Sequence, residues 1–321
     1  MMWAGGTLLA YAVTLGTAGA IGLRGARWTV NAPKLGVLAW QILSLSVLAS
    51  VAFAGLLMLN PASGTHADVR GLSWSAQMLA EGHFSHAAPA MWCGAMILLA
   101  AGVMTSTARG VLLALLQSRR ERVRHANQLV LLGTPHGATG AVVLEHHVAA
   151  AYCLPGPHPA VVVTTAALAA LDDGELAAVL AHERAHLRGR HHLALALSEG
   201  LRRALWFVPL FRWAHHEQAR LLEMIADDAA ARTASRRKVA TAMVQMAQSS
   251  VPSPALGAGG THSAARVDRM LAPSTPIRRW QAALIAIMLA VAALIPVALA
   301  VAPAASGAGL QACGPAGPVT L

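Results

Sequence analysis

Four stretches of this chain, 1–23, 35–60, 88–108 and 280–302, contain no Asp, Glu, Lys or Arg. Each approaches or exceeds the roughly 20 residues that a helix needs to cross a bilayer. Backbone buried in hydrocarbon must satisfy its own hydrogen bonds, and each stretch is long enough to do so by spanning as a helix. The third stretch passes Arg109 and continues through Val111, Leu112, Leu113 and Leu116, so its span is read as 88–116 with Arg109 snorkelling. Trp3, Trp28, Trp92 and Trp280 stand near the proposed boundaries, where indoles favour the interface, and Pro296 is expected to kink the last span. No basic residue precedes the first stretch, so it is read as a span rather than a cleaved signal peptide. The fold expected is therefore mainly α, a multi-pass membrane protein with three transmembrane helices before and one after a middle segment, 118–279, of ordinary domain size.

Composition agrees with that reading. Hydrophobic residues make up 56% of the 321 and charged residues 12%, against roughly a quarter charged in a soluble domain. The net charge of +10 raises the question of nucleic-acid binding, but 19 of the 24 basic residues lie between Arg119 and Arg279, and three more, Arg24, Arg27 and Lys34, fall in the first loop. That distribution is the positive-inside pattern of a membrane protein. The second loop carries Asp68, Arg70 and Glu81 and is net negative. The first loop and the middle segment are thus expected in the cytoplasm, both termini outside, with a short outer tail at 304–321 and the lipid bilayer, not nucleic acid, as the extended partner. Cys93, Cys153 and Cys313 are too far apart and too few to make a disulfide framework or a cysteine zinc site.

Two further apolar runs are not read as spans. The first, 148–171, is interrupted by Pro155-Gly156-Pro157-His158-Pro159 and is expected to form a β-hairpin with strands near 142–153 and 160–165. The second, 204–211, is too short to cross, and Trp206, Phe207, Phe211 and Trp213 around it are expected to pack within the domain, with contact against the bilayer as the alternative. A stretch rich in Pro, Ser, Gly and Ala, 249–263, is expected to be a flexible linker, chiefly a passive tether. His83 and His86 in the second loop are expected to be surface histidines, because two histidines without further ligands seldom hold a metal.

Chemistry concentrates in the middle segment. Asp172 and Glu175 have capping-box spacing ahead of a helical pattern at 176–187, and that helix carries His182-Glu183-Arg184-Ala185-His186. Residues four apart lie about 40° from one another around a helix, so both imidazoles can hold one metal ion from the same face. Glu183, beside the first ligand, is then placed to take a proton from water that zinc has acidified. Downstream, Glu223 and Asp227 are again four apart on a second expected helix. Glu223 is assigned as the third protein ligand, and Asp227 as the carboxylate that orients a liganding histidine. Ala160, Val161, Val162, Val163, Thr164 and Thr165, just before the active-site helix, form a strand expected to pair with the backbone of an extended substrate.

These residues and their surroundings resemble the integral-membrane metallopeptidases of the BlaR/MecR type, metallopeptidase family 56 in the gluzincin group. The likeness covers the run from Leu176 through His192, then Trp206-Phe207-Val208-Pro209-Leu210, then the run from Glu223 to Asp228. Where that family usually shows Trp-Phe-Asn-Pro and Glu-x-x-Cys-Asp-Asp, this chain has Val208 and Ala226; neither change touches a proposed ligand or base. The resemblance implies a cytoplasmic, gluzincin-like α+β zinc protease domain in a bacterial inner membrane. One Zn2+ per chain would be held by His182, His186 and Glu223, with Glu183 as catalytic base. It implies regulatory proteolysis of a protein substrate, a winged-helix transcriptional repressor or the protease itself. An HtpX-like quality-control protease is the alternative, and a nonenzymatic metal-dependent receptor a second one, disfavoured because a structural site has no use for a base at Glu183. The resemblance does not extend to the large penicillin-binding sensor of the antibiotic receptors, so direct β-lactam sensing by such a domain is not expected.

Overall fold

The apolar stretches fold as helices, and the computed structural model places them around a small mixed domain. It describes residues 2–59, 84–137, 139–248, 257–273 and 276–311. Helix α1 (Met2–Thr14) passes through a π-helical turn (Leu15–Gly19) into α2 (Ala20–Arg24); α3 (Trp28–Asn31) and α4 (Pro33–Met58) follow. Helix α5 (Phe84–Leu132) is 49 residues long, about 74 Å at 1.5 Å per residue, more than twice the hydrocarbon thickness. The expected third span thus continues unbroken past residue 116 and carries Arg119, Arg120, Arg122 and Arg124 out of the apolar layer. Four segments are long and apolar enough to cross a membrane: Trp3–Arg24, Pro33–Met58, Met91–Leu129 and Arg279–Ala302. The second loop, with His83 and the side chain of His86, lies outside the described residues.

After α5 come strands β1 (Gly133–His136), β2 (Ala141–Leu144), β3 (Ala151–Leu154) and β4 (Ala160–Thr164). The hairpin expected from sequence exists only between β3 and β4; its first arm, taken as 142–153, is two strands. They make a four-stranded sheet in the order β1-β2-β4-β3, with β2 parallel and β3 antiparallel to β4. The threonines at the end of β4 divide that arm. The Thr164 hydroxyl accepts from Ala150 N at 2.9 Å and that of Thr165 from His146 N at 3.2 Å. These bonds hold 145–150 as a crossover, so the chain leaves β2 and returns on the far side of β4. Because β4 is paired along both edges, its backbone is closed to a further strand, and the expected substrate strand at 160–165 is corrected on that ground. Among the described residues the open edge on this side of the sheet belongs to β3.

The remaining helices are α6 (Thr165–Ala170), α7 (Asp173–Arg188), α8 (His191–Ala204), α9 (Pro209–Thr233), α10 (Arg236–Gln248), α11 (Gly257–Leu271) and α12 (Arg279–Gln311). Helix α12 continues to Gln311, eight residues beyond 303, the expected end of the last span. Residues 249–256 of the expected linker lie outside the described residues, but from Gly257 the chain is helical, which corrects the linker reading for 257–263. Val267 and Met270 give α11 an apolar face that packs against Ala178, Ala181, Val239 and Ala240, and Arg236 donates to the carbonyls of Met270 and Ala272 at its end.

One core joins spans to domain: Trp40, Leu43 and Val47 of α4 pack with Leu201, Leu210, Phe211, Leu221 and Leu222 of α8 and α9. The run at 204–211 divides: Leu210 and Phe211 are fully buried, whereas Trp206 and Phe207 are 68% and 63% exposed. The expectation that these aromatics pack inside the domain is corrected for Trp206 and Phe207.

Candidate metal centre

Helix α7 begins as its sequence dictates. The Asp172 carboxylate accepts from Glu175 N at 2.8 Å and the Glu175 carboxylate from Asp172 N at 3.1 Å, closing a capping box, while Lys238 of α10 pairs with Asp172 from outside. The cap fixes the rotation of the helix, and with it the face on which His182 and His186 stand. Small residues then let α9 come close: Ala185 packs on Ala226 and Ala229, and Ala226 is fully buried. Ala226 is part of the contact that brings the two ligand-bearing helices together.

The result is a triangle of donor atoms. His182 Nε2 and His186 Nε2 are 3.1 Å apart, His182 Nε2 lies 3.5 Å from Glu223 Oε2, and His186 Nε2 lies 3.4 Å from Glu223 Oε1. These three residues are the group among those described whose ligand atoms could hold one metal ion. Zinc bonds of about 2.0–2.1 Å at tetrahedral angles put ligand atoms about 3.3 Å apart, so the donor set has the size and chemistry of one face of a zinc tetrahedron.

Each histidine is held by its other nitrogen. His182 Nδ1 is 3.0 Å from Asp227 Oδ1, so Nδ1–H donates to the carboxylate and Nε2 is left with its lone pair. His186 Nδ1 is 2.9 Å from His191 Nδ1. His191 reaches it because Arg190 adopts a left-handed conformation (φ 49°), turning the chain sharply from α7 into α8. Gly189 makes room: a Cβ there would stand 2.4 Å from His191 Nε2. Arg266 of α11 closes the site, donating to Asp227 through Nε at 2.8 Å and Nη2 at 2.6 Å and pairing with Glu223 Oε2 through Nη1 at 2.9 Å. Its neighbour Arg269 makes the same bidentate contact with Asp228, at 2.8 and 2.9 Å.

The electrostatics follow from these contacts. Burial disfavours charge on His182, but its bonds to Asp227 and Glu223 outweigh that and raise it to about 9. His186 has no such carboxylate at Nδ1, and burial takes it down to about 4. Burial opposes charge on Glu223, yet His182 and Arg266 hold it down at about 2. Asp227 is likewise below the ordinary range, its burial outweighed by Arg266 and His182. Glu183 goes the other way: burial, with Glu223 nearby, raises its carboxyl above the usual range, as suits a group that must accept a proton and give it up again.

Glu183 and His182 line one cleft of about 780 Å3 between α7, β3, α10 and α11, with Arg266, Val267 and Met243 on the opposite wall. Cys153 of β3 hydrogen-bonds Glu183 and, buried beside that carboxylate, has its thiol pushed up to about 12. The structure therefore brings together His182, Glu183, His186, Glu223 and Asp227 and leaves the 160–165 strand inside the sheet. Sequence reasoning assigned no role to His191, Cys153 or Arg266. The turn Gly189-Arg190-His191 was the available signal for the first. Two arginines three apart on a helix, facing the adjacent acids Asp227 and Asp228, were the signal for Arg266, and Cys153 carried none.

Two imidazoles from one helix and a carboxylate from a second make a donor set of the kind that metallopeptidases use. Residues 116–218 match the family model of peptidase family M48, a metallopeptidase family, and that part of the chain, about a third of its length, is a domain of that kind. The match runs from the end of α5 into α9, takes in His182, Glu183 and His186, and ends before Glu223 and Asp227. No curated protein and no solved structure matches the chain.

Proposed function

We propose that this chain is a membrane-embedded zinc endopeptidase whose protease domain faces the cytoplasm of a bacterial inner membrane, with both termini outside. The observation that carries the reading is the triangle of two imidazole nitrogens and one carboxylate, with Glu183 in the same cleft. When bound, zinc would polarise the scissile carbonyl and acidify water. His182, His186 and Glu223 would hold it, their orientations fixed by Asp227, His191 and Arg266. Glu183 takes the proton from water and delivers it to the leaving amine. The peptide lies extended along the open edge of β3, where Ala151 borders the cleft and Cys153 touches Glu183.

The substrate we propose is a cytoplasmic transcriptional repressor, of winged-helix type, or the protease itself. Three spans before the domain and one after, together with Trp206 to Leu210 and Glu223 to Asp228, support this BlaR/MecR-type reading. A quality-control protease of the HtpX type is equally compatible with the same site and with the family M48 match at 116–218. Both uses need the same chemistry. In cells, fragments should differ between the native protein and Glu183→Gln. One or two truncated proteins would mark regulatory cleavage, and a broad set of membrane-protein fragments would mark quality control. Undiminished proteolysis by purified Glu183→Gln with its zinc in place would reject the mechanism.

A further inference from the structure

The turn between α8 and α9 is an apolar tip in an unexpected place. Leu205, Trp206, Phe207, Val208, Pro209, Leu210 and Phe211 are consecutive, with Arg203 before them and Arg212 after. The tip sits among the spans. A Cβ on Gly16 would meet Val208 Cγ1 at 3.1 Å, and the Ser106 hydroxyl faces the Ala204 carbonyl at 3.5 Å. Above it α5 and α8 cross backbone to backbone, since a Cβ on Gly110 would stand 2.6 Å from Gly200 O and one on Gly200 2.5 Å from Val111 Cα.

Two rulers give the depth of the tip. Gly16 precedes Arg24, the first charge on its span, by eight residues, or about 12 Å of helix. Ser106 precedes Leu116 by ten residues, about 15 Å, a stretch whose one charge is the exposed Arg109, which the sequence reading has snorkelling, and whose Leu112, Leu113 and Leu116 are exposed. Both distances approach half of a hydrocarbon core of about 30 Å. The two charges that precede the tip on its own helix turn away from it. Arg202 and Arg203 bend back along α8 to Glu199, at 2.6 Å each, and Arg203 reaches Gln117 of α5 at 2.8 Å. That is the posture of side chains snorkelling out of an apolar layer. Trp213, one turn into α9, is stacked by Arg24 at 4.9 Å and Arg212 at 5.4 Å, as an indole at the interface would be.

We propose that the α8–α9 turn, 204–211, is a re-entrant element lying inside the bilayer beside the first and third spans, with Trp206 and Phe207 in contact with lipid acyl chains. Part of its backbone is satisfied at that depth: Leu205 N donates to Leu201 O at 2.9 Å, Val208 N to Leu205 O at 3.0 Å, and Pro209 has no N–H to satisfy. The insertion also fixes the standing height of the metal centre, because α9 runs 14 residues, about 21 Å, from Pro209 to Glu223. This inference rests on the spans being in a membrane and not on the chemistry proposed above.

The test uses the full native chain in phosphatidylcholine–phosphatidylglycerol vesicles containing a phosphatidylcholine with an acyl-chain diazirine, irradiated, digested and mapped by mass spectrometry. Adducts at Trp206 or Phe207 should approach those at the exposed span residues Trp280 and Leu284 and exceed those at exposed Val244 of α10 by about tenfold. Labelling no higher than at Val244 would overturn the proposal, whether water or a second copy of the chain covers the tip. A nitroxide on Phe207→Cys, with Cys93, Cys153 and Cys313 changed to Ala, gives an independent reading. Oxygen should reach it and a water-soluble nickel chelate should not; access by the chelate would overturn the proposal.

Discussion

Replacing Asp227 by Asn keeps the shape of the side chain and removes its charge, and the structure says what that costs. Asp227 is fully buried, accepts from His182 Nδ1 at 3.0 Å, and takes both Arg266 bonds at 2.6 and 2.8 Å. In the Asn variant the Arg266 guanidinium keeps only Glu223 as a charged partner, at 2.9 Å. Breaking a buried pair by removing one partner costs about 3–5 kcal/mol, and the surviving contact with Glu223 puts the expectation at the lower end, about 3 kcal/mol. His182 loses the acceptor that fixes its tautomer, so zinc affinity should fall about 10–100-fold. Arg266→Met should also destabilise, because it strands the Asp227 carboxylate. The double variant leaves neither charge unpaired, so its loss should be smaller than the sum of the singles by about 1–3 kcal/mol. Unfolding of the metal-free protein in detergent, with zinc competition against a chelator, measures both quantities. Additive single variants, or an Asp227→Asn protein with zinc affinity within about twofold of the native value, would refute the reasoning.

The remaining predictions concern the same centre. In the metal-free protein His182 titrates at about 9, so zinc must displace its proton at neutral pH, and affinity should rise about tenfold per pH unit between 7 and 9; His186, at about 4, adds no proton in that range. A flat profile, corrected for the chelator, would contradict the His182–Asp227 pairing. Because the folded-state value of His182 lies above its ordinary 6.5, its contacts stabilise the metal-free protein fully below that pH, and the contribution is lost as pH rises through about 9; thermal unfolding across pH 6 to 9.5 reads it. Ala226→Leu overfills the contact between α7 and α9 and should cost about 1–3 kcal/mol while moving Glu223 from the imidazoles, so zinc binding should weaken together with unfolding temperature. His191→Leu should lower zinc affinity about tenfold or more through His186 without changing the number of ions bound, which equilibrium dialysis reports.

The parts of the fold that sequence made legible were those written in local spacing. The capping box at Asp172 and Glu175, the imidazoles at His182 and His186 and the carboxylates at Glu223 and Asp227 are all pairs three or four residues apart, and helix geometry puts such pairs on one face whatever surrounds them. The four apolar stretches were equally plain, because hydrocarbon leaves the backbone few alternatives. What was hidden depended on contacts distant in the chain. Nothing in Val161-Val162-Val163 reveals that β2 and β3 flank it on opposite sides; the threonine bonds to 146–150 decide that. Arg266 meets acids about 40 residues away only because residues beyond Gly257 form a helix with an apolar face, where composition alone read a linker. Trp206 and Phe207 looked like core residues because a run of seven apolar side chains does not say whether its neighbours are protein or lipid.

The central claim, one zinc held by two imidazoles and a carboxylate, is tested most directly by zinc K-edge X-ray absorption on the purified native chain. The account predicts one zinc per chain, nitrogen and oxygen neighbours at about 2.0–2.1 Å including two imidazoles, and loss of the ion in His186→Ala. A sulfur neighbour at about 2.3 Å, or full zinc retention by His186→Ala, would contradict it.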